Sequence, residues 1–196
     1  FSPDGRMLFF SLSQDQDLDK RAPGASSVDV WNYKDEFLQS EQLEEVNRRS
    51  YTAVISLDGK GMIRLEQEVD RAWGTGSFNH GGKDDYLMTT TRVNEREGFH
   101  RLSARPDFYL VRTKDGLRNC IIKKLWGERP AFSPGGKYVY WYDYEKRAYL
   151  TFDIQSGKVA NISGKMKTPI FDETYNFDGP PHSYGLANWF KNDEGM

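Results

Sequence analysis

Residues 129–163, Arg129-PAFSPGGKYVYWYDYEKRAYLTFDIQSGKVANI-Ser163, decide the fold. They contain what one small sheet of four antiparallel strands requires. Pro130 to Phe132 is a short apolar run, and Ser133-Pro134-Gly135-Gly136 is a turn, because proline presets φ and glycine takes positive φ without a steric cost. Tyr138, Val139, Tyr140, Trp141 and Tyr142 follow in succession, all strong strand formers. A run apolar at every position predicts a strand covered on both faces. After the polar break Tyr144–Arg147, Leu150, Phe152 and Ile154 alternate with Thr151 and Asp153. Gln155 to Lys158 turns the chain again, and Val159, Ala160 and Ile162 make an outer strand. Hairpin follows hairpin, which predicts a four-stranded meander.

The same pattern recurs along the chain. Phe1-Ser2-Pro3-Asp4-Gly5-Arg6 with Met7-Leu8-Phe9-Phe10 nearly copies Phe132-Ser133-Pro134-Gly135-Gly136-Lys137 with Tyr138-Val139-Tyr140-Trp141. Phe1 and Phe132 are 131 positions apart, about three periods of roughly 44, close to the length of one four-stranded propeller blade. Weaker copies lie between. Tyr51–Leu57, Asp58-Gly59 and Met62–Leu65 fit a third strand, turn and fourth strand, as do Phe108–Arg112, Asp115-Gly116 and Asn119–Leu125. Gly81-Gly82 before Tyr86–Thr90 fits a turn and second strand, and Trp73-Gly74 and Trp126-Gly127 each close one unit and enter the next. The fold expected is all-β: a partial β-propeller of about three four-stranded antiparallel blades with one helical insertion.

The units fall as follows. Residues 1–68 are blade one, entered at its second strand, Arg6–Leu12. An insertion of about 36 residues, Ser13 to Arg48, holds a solvated loop, a short strand at Val28–Tyr33 and a helix near 34–49, with Phe37, Leu38, Leu43 and Val46 roughly on one face. Residues 69–127 are blade two, 128–168 blade three, and 169–196 a long loop followed by the start of blade four, with Tyr184–Trp189 its inner strand. The chain opens at Phe1 in mid-motif and closes where another strand is due, so it is expected to be a piece of a longer protein.

Composition agrees with this plan. Aromatics are 14% of 196 residues, with 18 Gly and 8 Pro, while helix-period apolar stripes are scarce. The net charge of −2 mixes 27 basic with 29 acidic residues, leaving no basic footprint for nucleic acid. No apolar run reaches the length of a membrane span. Cys120 is the single cysteine, so no internal disulfide can form, and it reads as a small buried core residue.

Reactive motifs are sparse. A nucleophile elbow needs Gly-x-Ser-x-Gly, and the nearest approach, Gly74-Thr75-Gly76-Ser77, lacks the spacing. His80, His100 and His182 are far apart, and neither an i, i+4 ligand pair nor a Cys-x-x-Cys knuckle occurs, so neither a metal nor another cofactor is expected. Asn161-Ile162-Ser163 matches a glycosylation triplet, a pattern common by chance. Glu44 and Glu45 lie together on the expected helix, where they either face solvent, with Arg48 and Arg49 at i+4, or hold a substrate's ammonium by charge-assisted hydrogen bonds. The loop Thr91–Arg105 carries Arg92, Arg96 and Arg101, either a solvated charged loop or a basic rim facing substrate.

Three stretches add a family resemblance: Phe1-Ser2-Pro3-Asp4-Gly5, Val28-Asp29-Val30-Trp31-Asn32-Tyr33-Lys34-Asp35 with Gln39–Gln42, and Tyr184-Gly185-Leu186-Ala187-Asn188-Trp189-Phe190-Lys191-Asn192-Asp193-Glu194. Together they resemble the N-terminal propeller of bacterial prolyl oligopeptidase family proteins, over most of the chain and in order. The resemblance implies a non-catalytic lid or substrate filter. It also implies a C-terminal α/β-hydrolase domain carrying the serine peptidase triad as partner, small peptides as substrates, and a periplasmic or extracellular setting. Dipeptidyl-peptidase relatives set paired glutamates against a substrate's amino terminus, although Gln42-Leu43 and Val46-Asn47 fit that motif poorly. The alternative is a stand-alone propeller that binds a ligand or protein and has no hydrolase domain. An active site within this segment is a third, which peptidase activity of the chain itself would support. Three blades would also leave two apolar flanks bare near Phe9, Phe10 and Trp189, which predicts self-association.

Overall fold

In the computed structural model, residues 1–2, 5–13, 32, 50–59, 61–72, 78–79, 86–91, 105–176, 179–186, 188–190 and 193 are described. They form strands, turns and extended segments, with no α-helix among them. The expected helix near 34–49 and the short strand at Val28–Tyr33 lie outside the described residues. Among the described residues, twelve strands make three antiparallel sheets.

The first sheet joins β1 (Met7–Ser13), β2 (Ser50–Ser56) and β3 (Met62–Arg64) in that order. Met7 pairs with Ser56 and Ser13 with Ser50, so β1 and β2 run side by side over their full length across the long insertion. In the middle sheet the first position is shared by β4 (Asp70–Ala72) and β5 (Phe78–Asn79), which pair with different parts of β6 (Tyr86–Thr91). Next come β7 (Phe108–Arg112) and β8 (Arg118–Ile122), with a bulge between Phe108 and Tyr109. The third sheet is the expected meander: β9 (Ala131–Phe132), β10 (Tyr138–Asp143), β11 (Ala148–Asp153) and β12 (Val159–Asn161), ordered β12-β11-β10-β9. Trp126 and Gly127 do enter this sheet: the Trp126 carbonyl accepts from Tyr144 N–H, and Gly127 bridges Asp143.

Strand alternation explains how the sheets meet, since successive side chains point to opposite faces. Leu87 and Val111 of the middle sheet cluster with Val54 and Leu65, next to Met7, Phe9 and Ile63 of the first sheet. Their neighbours Met88, Phe108 and Leu110 cluster instead with Val139, Trp141, Leu150 and Phe152 of the third. The middle sheet is therefore covered on both faces by the sheets before and after it in sequence. Phe9 and Phe78, with centroids 4.3 Å apart, tie the first interface. A buried ion pair adds to the middle sheet, Arg118 bidentate on Asp70, with the guanidinium 3.8 Å from the Tyr109 ring centre.

Two expectations are corrected. Cys120 sits on the outer strand β8 and is half-buried rather than buried, its thiol 3.7 Å from the Ile122 carbonyl. Residues 184–186 and 188–190 form no strand. That segment is held to the third sheet by side chains instead, and this places the candidate site.

Candidate functional site

The outer face of the third sheet, turned away from the middle sheet, carries Tyr138, Tyr140 and Tyr142 of β10 and Tyr149 and Thr151 of β11. Of the described residues, 183–186, 188–190 and 193 lie along it as a strap. Trp189 stacks near-parallel to Tyr138, with centroids 6.2 Å apart and planes at 16°, and tilts against Tyr140 at 5.2 Å. β10 is thus covered on both faces, as its unbroken apolar run predicts. Between strap and sheet lies a crevice of about 720 Å³ lined by Tyr138, Tyr149, Lys158, Ile162, Met166, Leu186 and Trp189, with Asp153 and Asp193 at its border.

The strap is fixed at two ends. At one, Ser183 N–H donates to Glu128 Oε1 at 2.9 Å, and the Ser183 and Tyr149 hydroxyls share a 2.6 Å hydrogen bond. Phe171 bridges Ser183, and the Tyr144 hydroxyl lies 3.0 Å from His182 Nδ1. Aromatic rings fill the space around Glu128: Tyr142 against Tyr149 at 5.2 Å, Tyr142 against Tyr144 at 5.8 Å, and Tyr175 edge-on to His182 at 5.4 Å.

At the other end, the Asp193 carboxylate enters the Ser133–Lys137 turn. It accepts from Ser133 Oγ at 2.6 Å, Gly135 N–H at 2.8 Å and Lys137 N–H at 3.1 Å. The turn is preformed for this. Ser133 Oγ caps it by accepting from Tyr138 N–H at 3.0 Å, and Gly136 turns the chain at φ 69°. A side chain at Gly135 would begin 2.7 Å from Asp193 Oδ2, so only glycine admits the carboxylate. Phe1–Met7 builds the same turn, with Ser2 Oγ accepting from Met7 N–H at 3.0 Å and Gly5 at φ 69°.

Electrostatics divides the site. Burial, then the charge of Glu128, pushes the Tyr142 phenol up to about 12, against the opposing effect of Arg147. Burial likewise raises Tyr144 and Tyr149, with Glu128 adding to both and the Ser183 hydrogen bond opposing it at Tyr149. These phenols stay protonated at neutral pH. Burial also works against ionising Asp193, but its hydrogen bonds from Ser133, Gly135 and Lys137 and the Lys137 charge prevail and hold it below the ordinary aspartate value. The Ser156 N–H does the same for Asp153.

Of the residues singled out in the sequence, Glu44, Glu45, Arg96 and Arg101 all lie outside the described residues, as do His80 and His100. Among the described residues, no group of three His, Cys, Asp or Glu side chains is placed to hold a metal ion. Glu128, Ser183 and Asp193 were not singled out. Nothing in the sequence around Asp193 points to Ser133, 60 positions earlier.

Neither models of known protein families nor the curated proteins include any that match this chain.

Proposed function

We propose that this chain is a sector of a β-propeller from the non-catalytic domain of a prolyl oligopeptidase family serine peptidase, serving as lid and substrate filter. The observation that carries the propeller reading is the middle sheet, packed on both faces by its sequence neighbours through separate apolar clusters. Consecutive meanders stacked this way, opened by the same Ser-Pro-x-Gly turn at Ser2 and Ser133, are the plan of successive blades. The peptidase connection rests on the resemblance of the sequence. It makes an α/β-hydrolase domain the partner, small peptides the substrates, and a periplasmic or extracellular compartment the setting.

In such a protein the hydrolytic serine lies outside this chain. The reading frame beyond Met196 is then expected to encode Gly-x-Ser-x-Gly followed by Asp and His. A fluorophosphonate probe would label the full-length product but not residues 1–196 alone. A frame that closes without the pentad, or labelling of this chain by itself, overturns the proposal. In the full-length peptidase, replacing Glu44 and Glu45 with Gln would raise KM for peptides with a free amino terminus and leave amino-blocked peptides unchanged. No effect on either assigns the pair to a solvated face, and an equal loss on both overturns the ammonium-holding role.

A second reading, a stand-alone binding module, is favoured by the crevice itself, which needs no other domain to be formed. A purified full-length product with ligand affinity and no hydrolase sequence would select it.

A further inference from the structure

The strap over the third sheet is held unevenly. Its ends are fixed by Glu128 with Tyr149 on Ser183, and by the Ser133–Lys137 turn on Asp193. Between them, the described residues pair with no strand of the sheet. Tyr184 and Phe190 are each 67% exposed, and Leu186 lies over the crevice rather than against a packed floor. The one large contact there is Trp189 on Tyr138 and Tyr140, and the Trp189 Nε1–H is buried without an acceptor. A buried donor left unsatisfied regains a hydrogen bond when water reaches it, so the middle of the strap favours release and the ends oppose it. Asp193 is 4% exposed and supplies a single carboxylate to three donors, so one proton takes away the charge that strengthens all three bonds and turns one of its two acceptor oxygens into a donor facing donors.

We propose that the strap, through its described residues 183–186, 188–190 and 193, is an acid-released cover, closed over the aromatic crevice of the third sheet while Asp193 is ionised and opened from that end by its protonation. The groups facing Asp193 are the Ser133 hydroxyl, the Gly135 and Lys137 N–H groups and the Lys137 ammonium, with Asp153 acting on the same ammonium. Glu194 follows it in the sequence. The sign follows from a carboxylate whose folded value is depressed: closure is fully present above the ordinary aspartate value of 3.8 and is lost as pH falls through the lower folded value. Opening bares Tyr138, Tyr140 and the crevice floor and leaves the third sheet's own ladder intact.

Trp189 reports on the cover. The emission difference between wild type and Trp189→Phe, followed from neutral pH downward beside far-ultraviolet circular dichroism, isolates it. A red shift of that difference below about pH 4, at pH values where the sheet signal is unchanged, is expected. Asp193→Asn keeps a residue that tolerates the positive φ of 59° there and removes the charge, so it should show the red-shifted emission at neutral pH with a wild-type sheet signal. Emission and sheet signal lost together in wild type, or a folded Asp193→Asn with wild-type emission, overturns the proposal. Should Asp193→Asn fail to fold, the wild-type titration alone decides.

Discussion

At Tyr142 a phenol hydroxyl is buried with no hydrogen-bond partner, in a side chain of zero exposure. Leaving such a group unsatisfied costs on the order of 1 kcal/mol or more, so Tyr142→Phe is expected to raise the urea unfolding free energy by about 1 kcal/mol. The same residue limits alkaline stability. Its folded pKa of about 12 stands above the ordinary 10, so its contribution is complete below pH 10 and is lost as pH rises toward 12. Tyr142→Phe should flatten the loss of stability over that interval, and an unchanged alkaline slope would show that another phenol sets it. Asp70 presents the opposite case. Its side chain is fully buried and pairs with Arg118, so Asp70→Asn strands a guanidinium and should cost about 3 kcal/mol in the same assay. The Tyr-Val-Tyr-Trp-Tyr run identified the strand that buries Tyr142. Tyr144 and Tyr149 of the same hairpin pack against its ring, and no local pattern encodes that its hydroxyl is left without a partner.

Among the elements, the repeated Ser-Pro-x-Gly turn is the most legible in sequence and the most informative in structure. Its hairpin chemistry is local: a serine cap, a proline at the corner and a glycine at positive φ. Local signals therefore placed most strands of the three sheets; Asn119–Leu125 forms as Arg118–Ile122, three residues short at its end, and the short strands Asp70–Ala72 and Phe78–Asn79 carry no such signal. The strap failed this test because its partners are distant. Tyr184 to Trp189 has the composition of a strand, yet its described residues form no ladder and Trp189 packs on Tyr138 and Tyr140. Two substitutions separate the turn from its guest. Gly136→Ala strains a residue at φ 69° and should destabilise the whole sheet by roughly 1 kcal/mol. Gly135→Ala places a methyl group against the Asp193 carboxylate, so it should release Trp189 emission at neutral pH and leave the sheet signal unchanged. If both variants lose sheet and Trp189 signals alike, turn and strap are one cooperative unit.

At the scale of the molecule, burial follows sequence order: each sheet packs on the next one made, which keeps contacts short in sequence and gives the middle sheet two apolar faces. Among the described residues no further sheet covers the outer face of the third sheet, and the strap occupies part of it. Self-association through the outer faces, proposed from the sequence, is then expected to respond to the strap. Asp193→Asn should sediment as a larger species than wild type at equal concentration and neutral pH, whereas identical sedimentation would exclude that face from association.

The stacking itself is tested most directly by methyl nuclear Overhauser contacts in the isolated chain. Consecutive stacked sheets require Leu87 and Val111 to contact Val54 and Leu65 in the same molecules in which Leu110 and Ile122 contact Val139 and Leu150. Finding only one of these two sets, or contacts that join the first sheet to the third across no intervening sheet, would contradict the stack and the propeller reading built on it.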